Sequence, residues 1–332
     1  MKFYPNENLE RRIRLLKLIS KISSFLMEKD FFYIITHAYP DGDALGCAFG
    51  LCRALQKSGK KAKVIYSKKI PEKFEFLEKF VSQQEFKNQC VISVDLAEPS
   101  LIEPELMVYG DKIDVCIDHH KVNKVPANLS CVDSSAAACG EIIYQILSFI
   151  GCEIDKEIAT CLYTGISTDT GCFCYSNTSA NSHYISAKLI ECGAPISLIN
   201  ENLFIVKSPL KIEVEKLVQK NLKYFFNGKC AITYVSLENM SLLGITDDEL
   251  DGIASMPIRV QGVDIGITIR EKQSGECKVS VRTSKNVDAG DFCLLFGGGG
   301  HQRAAGFSLK CSVEESIQKI LSKISCELGW RE

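Results

Sequence analysis

The chain has 332 residues, 46% of them hydrophobic and 24% charged, which is more than one core comfortably fills, so two domains are expected. A formal net charge of -2 and a pI near 6.3 exclude a basic protein that coats long duplex nucleic acid, and no apolar run is long enough to span a membrane. Sixteen scattered cysteines form no CxxC pair and follow a charged stretch, Met1 to Asp30, with no signal-peptide core; they read as reduced, mostly buried thiols of a cytoplasmic protein.

Leu9, Ile13, Leu16, Ile19 and Ile22 recur at helical spacing and predict an amphipathic helix over about 8–29. Phe31 to Ile35 reads as a buried strand ending at Thr36-His37. A helix follows over 43–58, with Gly59 suited to its C-terminal end. Lys63 to Tyr66, Cys90 to Val94 and Val115 to Ile117 give three more strands, and helices are expected near 136–150, 155–167, 180–192 and 209–225. This alternation predicts an α/β fold with an N-terminal doubly wound parallel sheet. The pattern changes beyond Lys207: strands are expected at Cys230–Val235, Val263–Ile269, Cys277–Val281 and Ala304–Leu309, with helices near 246–256 and over 312–328. The division is therefore a first domain over 1–207, a linker helix over 208–224 and a smaller α/β domain over 225–332.

In a parallel sheet, ligands gather beyond the carboxyl ends of the strands. The first strand ends in His37-Ala38-Tyr39-Pro40-Asp41-Gly42-Asp43, the third at Asp95 and the fourth in Asp118-His119-His120. Singly, each reads rather as a helix cap or loop carboxylate. Together they fall at one edge of one sheet. Pro40 and Gly42 make the first loop tight, so Asp41 and Asp43 can serve two points. Carboxylates this dense repel one another unless a cation neutralises them, and mixed imidazole and carboxylate donors suit Mn²⁺, with Mg²⁺, Zn²⁺ or Co²⁺ as alternatives. Asp169 closes a predicted helix, where an acidic residue opposes the helix dipole and needs a compensating contact. In the second domain, Gly297 to Gly300 and His301 precede a small-residue strand; backbone N–H groups at Gly298, Gly299 and Gly300 could approach an anion, and Arg282 at a strand end could fork onto a phosphate.

These motifs, from His37 to Asp43, Val94-Asp95, Asp118 to His120, Gly165 to Asp169 and Gly297 to His301, resemble the DHH phosphoesterase family. The branch is that with a C-terminal DHHA1 domain, the nanoRNase and pAp-phosphatase type, and the likeness runs from about Phe32 to Leu309. The resemblance implies two divalent cations, Mn²⁺ first, in a cleft between the two domains. His37, Asp41 and Asp95 would hold one ion, and Asp43, Asp95, His119 and Asp169 the other, with Asp95 bridging. His120, Asp95 and Asp118 would be the catalytic residues, and Arg282, Gly298, Gly299, Gly300 and His301 would bind substrate. Two ions about 3.5–4 Å apart can lower the pKa of a shared water, giving a hydroxide that attacks phosphorus. The implied substrates are short oligoribonucleotides and adenosine 3′,5′-bisphosphate. Alternatives within the same chemistry are linear or cyclic dinucleotides and polyphosphate; a non-catalytic nucleotide sensor is the alternative outside it. Cys47 stands where the family often has Ser, a departure expected to affect only packing at the helix start.

Overall fold

The structure is a computed structural model and describes residues 9–331 apart from Asp247, Asp251 and Lys285. The chain forms two compact units, the first running to Val206 and the second starting at Lys207.

In the first unit α1 (Leu9–Glu28) leads into β1 (Phe32–Ile35), α2 (Gly42–Lys57), β2 (Ala62–Val64), β3 (Cys90–Val94), β4 (Ile113–Asp118) and β5 (Ala127–Val132). Then come α3 (Cys139–Phe149), α4 (Lys156–Asp169), α5 (Ala180–Glu191) and α6 (Ile196–Asn200). The five strands are parallel, in the order β2-β1-β3-β4-β5. The chain thus runs outward from β1 to β2 and returns to β3 on the other side. The reversal lies between β1 and β3, and the loops leaving these two neighbours must part, which opens a crevice at their carboxyl ends.

Alternation of side chains along the strands fills two cores. Phe32, Ile34, Ile92, Val94, Val115 and Ile117 join the apolar faces of the helices, including the fully buried Ile19, Ile22 and Leu26 of α1. Ile35, Val91 and Cys116 face the other way, onto Ile102, Leu106 and Val125. Two 3₁₀ turns, Pro99–Leu101 and Pro104–Tyr109, cover that second face where helices would stand in a longer connection. Each begins at a proline, which suits a first helical position and prevents the preceding turn from continuing. The fifth strand was not among those expected from sequence. It is an edge strand, partly exposed, and its short alternation of Ala127, Leu129 and Cys131 with Asn128 and Ser130 buries only Cys131 fully.

The second unit contains α7 (Pro209–Lys220), β6 (Lys223–Phe225), β7 (Cys230–Val235), α8 (Leu237–Leu243), β8 (Ile265–Lys272), β9 (Glu276–Thr283), α9 (Ala289–Leu294), β10 (Gly299–His301), β11 (Ala304–Leu309) and α10 (Val313–Leu328). Its mixed sheet has the order β10-β11-β9-β8-β7-β6, with β7 and β8 parallel and the remaining pairs antiparallel. Ile232, Ile267, Val279, Val281 and Phe307 pack with Phe292, Ile320 and Ile324 of α9 and α10. Val214 and Val218 bring α7 onto Val235, Ile245, Leu250 and Ile253, so the helix read as a linker has its core in this unit. The helix expected over 246–256 is replaced by 3₁₀ turns at Asp248–Leu250, Ile253–Ser255 and Pro257–Arg259; within that span Asp247 and Asp251 lie outside the described residues. The α-helix stands earlier, and Gly244 ends it in a left-handed conformation at φ 64°. Gly252, at φ 77°, and Pro257 prevent another from forming.

Candidate metal centre

The carboxyl edge of the first sheet carries the candidate site, and each backbone segment there has a reason for its course. Asp41 caps α2: its Oδ1 accepts from the N–H groups of Asp43 and Ala44 at 3.0 and 3.1 Å. Asp43 then occupies the first turn of α2 and is fully buried. Its carboxylate also faces the N-terminus of α3, accepting from the N–H of Cys139 at 2.5 Å and of Gly140 at 3.0 Å. A carboxylate suits that end of a helix dipole. Helices α2 and α4 approach at glycines. A Cβ at Gly46 would lie 2.4 Å from the carbonyl oxygen of Cys161, and one at Gly165 would lie 2.6 Å from Oδ1 of Asp43. This close seam brings Asp43 beside the end of α4, where Asp169 is the last residue.

Asp95 follows β3 directly and adopts φ 52°, a left-handed backbone that Asp tolerates better than most residues. Its N–H donates to the carbonyl of Ile117 at 3.0 Å, which ties the turn leaving β3 to the neighbouring strand β4. The side chain is thereby aimed into the crevice. Three ligand sets result, each with its donor atoms within 4.8 Å of one another: His37, Asp41 and Asp95; Asp43, His119 and Asp169; and Asp95, His119 and His120. His119 Nε2 lies 3.2 Å from Asp169 Oδ2, 3.5 Å from Asp95 Oδ1 and 3.9 Å from Asp43 Oδ2. Its Nδ1 lies 3.3 Å from the carbonyl of Ala136, an arrangement that puts the proton on Nδ1 and leaves Nε2 with a lone pair for a metal. Nε2 of His37 is 4.0 Å from Asp95 Oδ2.

The charges of this cluster fit a pair of cations. Oδ1 of Asp95 is buried and has no hydrogen-bond partner, an arrangement that is costly for a bare carboxylate. Burial, together with the charges of Asp43, Asp41, Asp169 and Asp118, raises Asp95 well above the carboxylate range. Burial raises Asp43, and His119 only partly offsets this. Burial and the charges of Asp43 and Asp41 push Asp169 up to about 9. Burial lowers His37, which keeps its ring neutral and able to ligate. Carboxylates that raise one another, beside the neutral ring of His37, form a donor set for divalent ions.

Asp118 stands apart from the ligand sets. Its Oδ1 accepts from Nδ1 of His120 at 2.7 Å, and its Oδ2 from Nδ2 of Asn123 at 2.7 Å. Burial raises Asp118, but these hydrogen bonds outweigh it and hold the carboxyl below its usual range. The same bond raises His120 against the opposing effect of burial. Asp118 therefore orients His120, and Asn123, which also donates to the carbonyl of Leu96 at 2.8 Å, orients Asp118.

In the second unit, Arg282 of β9 pairs with Ala304 of β11, and Ala304 pairs with His301 of β10. Residues directly opposite on antiparallel strands point to one face. Arg282 and His301 thus share a face two strand spacings apart, about 10 Å, with the small Ala304 between them. Two of the glycines are demanded by packing. A Cβ at Gly298 would lie 2.2 Å from the carbonyl oxygen of Gly306, and one at Gly300, at φ 147°, would lie 2.5 Å from Cα of Ala305. Gly299 is exposed and faces open space. The second half of the glycine run, Gly299 and Gly300, thus belongs to an edge strand.

Comparison with known proteins places this geometry. The model of the DHH family N-terminal domain matches residues 31–166, and that of the DHHA1 domain matches residues 227–328. The chain is 30% identical over 306 residues to the bifunctional oligoribonuclease and PAP phosphatase NrnA of Thermus thermophilus, covering 89% of this chain and 90% of that one. It belongs to the DHH family of phosphoesterases. The NrnA of Bacillus subtilis is 25% identical, with 88% of this chain and 92% of the relative covered. In fold, this DHH chain is similar to the crystal structure of an exopolyphosphatase-related protein from Bacteroides fragilis, with a TM-score of 0.84, 22% identity and coverage of 95% and 98%.

The DHH-family site contains groups that the sequence did not announce: Asn123, the Ala136 carbonyl and the two α3 amides that hold Asp43. Cys47, read from the sequence as a matter of packing alone, also reaches the site. Its thiol lies 3.3 Å from Oδ1 of Asp43 and donates to it, so the departure at this position touches a candidate ligand as well as the packing. The Ala136 carbonyl and the α3 amides lie outside the motifs. Only the folded sheet edge brings them together. Cys172 and Cys174 join none of the ligand sets found among the described residues, and His183 stacks on Phe173 with ring centroids 5.0 Å apart. Among the described residues no helix is long and apolar enough to cross a membrane.

Proposed function

We propose that this chain uses two divalent cations, Mn²⁺ first among them, to hydrolyse short oligoribonucleotides to mononucleotides and adenosine 3′,5′-bisphosphate to AMP and phosphate. The observation that carries the reading is the buried, partnerless Oδ1 of Asp95 at the meeting point of the ligand sets. The substrates are those for which the NrnA relatives are named. In this reading His37, Asp41 and Asp95 hold one ion, and Asp43, His119 and Asp169 hold the other together with Asp95. When bound, the ions supply an activated water and neutralise charge on the phosphoryl oxygens.

The remaining roles fall to the chain's own groups. His120, kept protonated to higher pH by Asp118, donates a hydrogen bond to an oxygen of the scissile phosphate. Arg282 and His301 hold a substrate phosphate, Arg282 through its planar fork and His301 through a ring N–H. Packing accounts for the absence of a side chain at Gly298 and Gly300, while Gly299, exposed and with open space around it, leaves room for an anion to approach the backbone. The near-neutral charge suits short substrates over long polymers.

The test is a product-resolved screen with Mn²⁺ and with EDTA. It compares short RNA, linear and cyclic dinucleotides, adenosine 3′,5′-bisphosphate and polyphosphate. Mononucleotide or phosphate release that EDTA abolishes, and that Asp95→Ala nearly eliminates together with ion binding, is the expected result. Near-normal turnover in Asp95→Ala refutes the bridging role. Nucleotide binding without turnover in the wild type makes the protein a sensor.

A further inference from the structure

Tyr39 is 83% exposed, yet it lies in the short segment between His37 and Asp41. Isolated exposed aromatics are common on protein surfaces, and three observations set this one apart. Its backbone is held on both sides: the N–H of Ala38 donates to the carbonyl of Leu101 at 2.7 Å, and beyond Pro40 the chain is fixed by the cap that Asp41 places on α2. The ammonium of Lys68 stands 5.5 Å from the ring centroid. Leu101 is 44% exposed and Val122 63% exposed, on the loops that leave β3 and β4 at the same sheet edge. An exposed aromatic ring on a restrained backbone, a cation beside it and exposed apolar side chains on the neighbouring loops therefore stand at the sheet edge that carries the acidic cluster.

We infer that Tyr39 is the stacking platform of a nucleobase subsite, with Lys68 holding a phosphate of the same nucleotide. The inference rests on the reading of the acidic cluster as a phosphoesterase centre. A ring can stack on any base, because every base has a π-face, and one ammonium covers at most one face of the tyrosine. The loop restraints mean that little order is lost on binding. The subsite gives the first unit its own means of preferring a nucleotide over a base-free phosphate ester, since metal ligands recognise only the phosphate.

The experiment compares a 5′-phosphorylated diadenylate with an abasic dinucleotide of the same backbone. In the wild type with Mn²⁺, kcat/KM is higher for the diadenylate. Tyr39→Ala lowers that ratio on the order of tenfold, mainly through KM, and Tyr39→Phe retains it, because stacking needs the ring and not the hydroxyl. Lys68→Gln weakens both substrates. An unchanged ratio in Tyr39→Ala, or an equal loss on both substrates, overturns the inference. Calorimetric titration of the diadenylate reads the subsite independently of turnover: binding weakens on the order of tenfold in Tyr39→Ala. Equal affinity in that variant, or no binding by the wild type, overturns the subsite. Binding with the expected Tyr39 dependence but no hydrolysis removes only the catalytic reading.

Discussion

Replacing Asp169 by Asn in the metal-free protein isolates the cost of the crowded carboxylates. Asp169 ends α4, where the dipole disfavours an anion, and burial with Asp43 and Asp41 nearby pushes its pKa from 3.8 to about 9. An acid raised on folding stabilises the fold fully below its unfolded pKa, and that contribution is lost as pH rises through the folded value. Between pH 5 and pH 8, both inside the window from 3.8 to about 9, the loss accumulates at about 1.4 kcal/mol per pH unit, a ceiling of about 4 kcal/mol. The side chain is 24% exposed, and screening reduces the figure to about 2 kcal/mol. For a unit of this size that corresponds to about 4–8 °C in Tm. Thermal unfolding of EDTA-treated protein at pH 5 and pH 8 reads it directly. The wild type is expected to melt lower at pH 8 than at pH 5. Asp169→Asn raises Tm at pH 8 by that amount and narrows the gap, while added Mn²⁺ stabilises the wild type far more than the variant. A variant that melts below the wild type at pH 8 without metal refutes the electrostatic account.

Other substitutions test different supports of the site. Gly165→Ala puts a methyl 2.6 Å from Oδ1 of Asp43 and is expected to cost about 1–3 kcal/mol and weaken Mn²⁺ binding, both measurable by thermal melts with and without the ion. Asn123→Ala frees Asp118 to turn, so turnover should fall about 10–100-fold with ion stoichiometry unchanged; loss of bound metal instead would assign Asn123 to the cage. Arg282→Ala should lower turnover while leaving metal content intact, and reduced metal occupancy would make Arg282 structural.

The main features of the site were legible because a parallel sheet places its loops predictably. Chemistry-bearing residues after β1, β3 and β4 had to share an edge, and an acid at the end of α4 needed a partner. What sequence could not supply were contacts made only by folding. Asn123 reaches Asp118 across a loop of no recognisable motif. Gly46 and Gly165 read as ordinary helical residues until α2 and α4 are seen to touch there. The strand β5 is a short edge segment with few large apolar residues, and β10 is three residues long with two glycines among them, so neither carries a strong strand signal. The helix expected near 246–256 failed because Gly252 and Pro257 break the backbone, a local signal that apolar spacing overrode.

The backbone of Asp95 limits how this protein can change. At φ 52° most side chains are strained, whereas Gly, Asn and Asp settle there with little penalty. An Asp95→Asn exchange would keep the turn beside β4 and the sheet beneath it while deleting the central charge. On the proposed reading, one amide in place of one acid would separate a hydrolase from an intact fold without its catalyst, leaving a binding-only descendant a single step away.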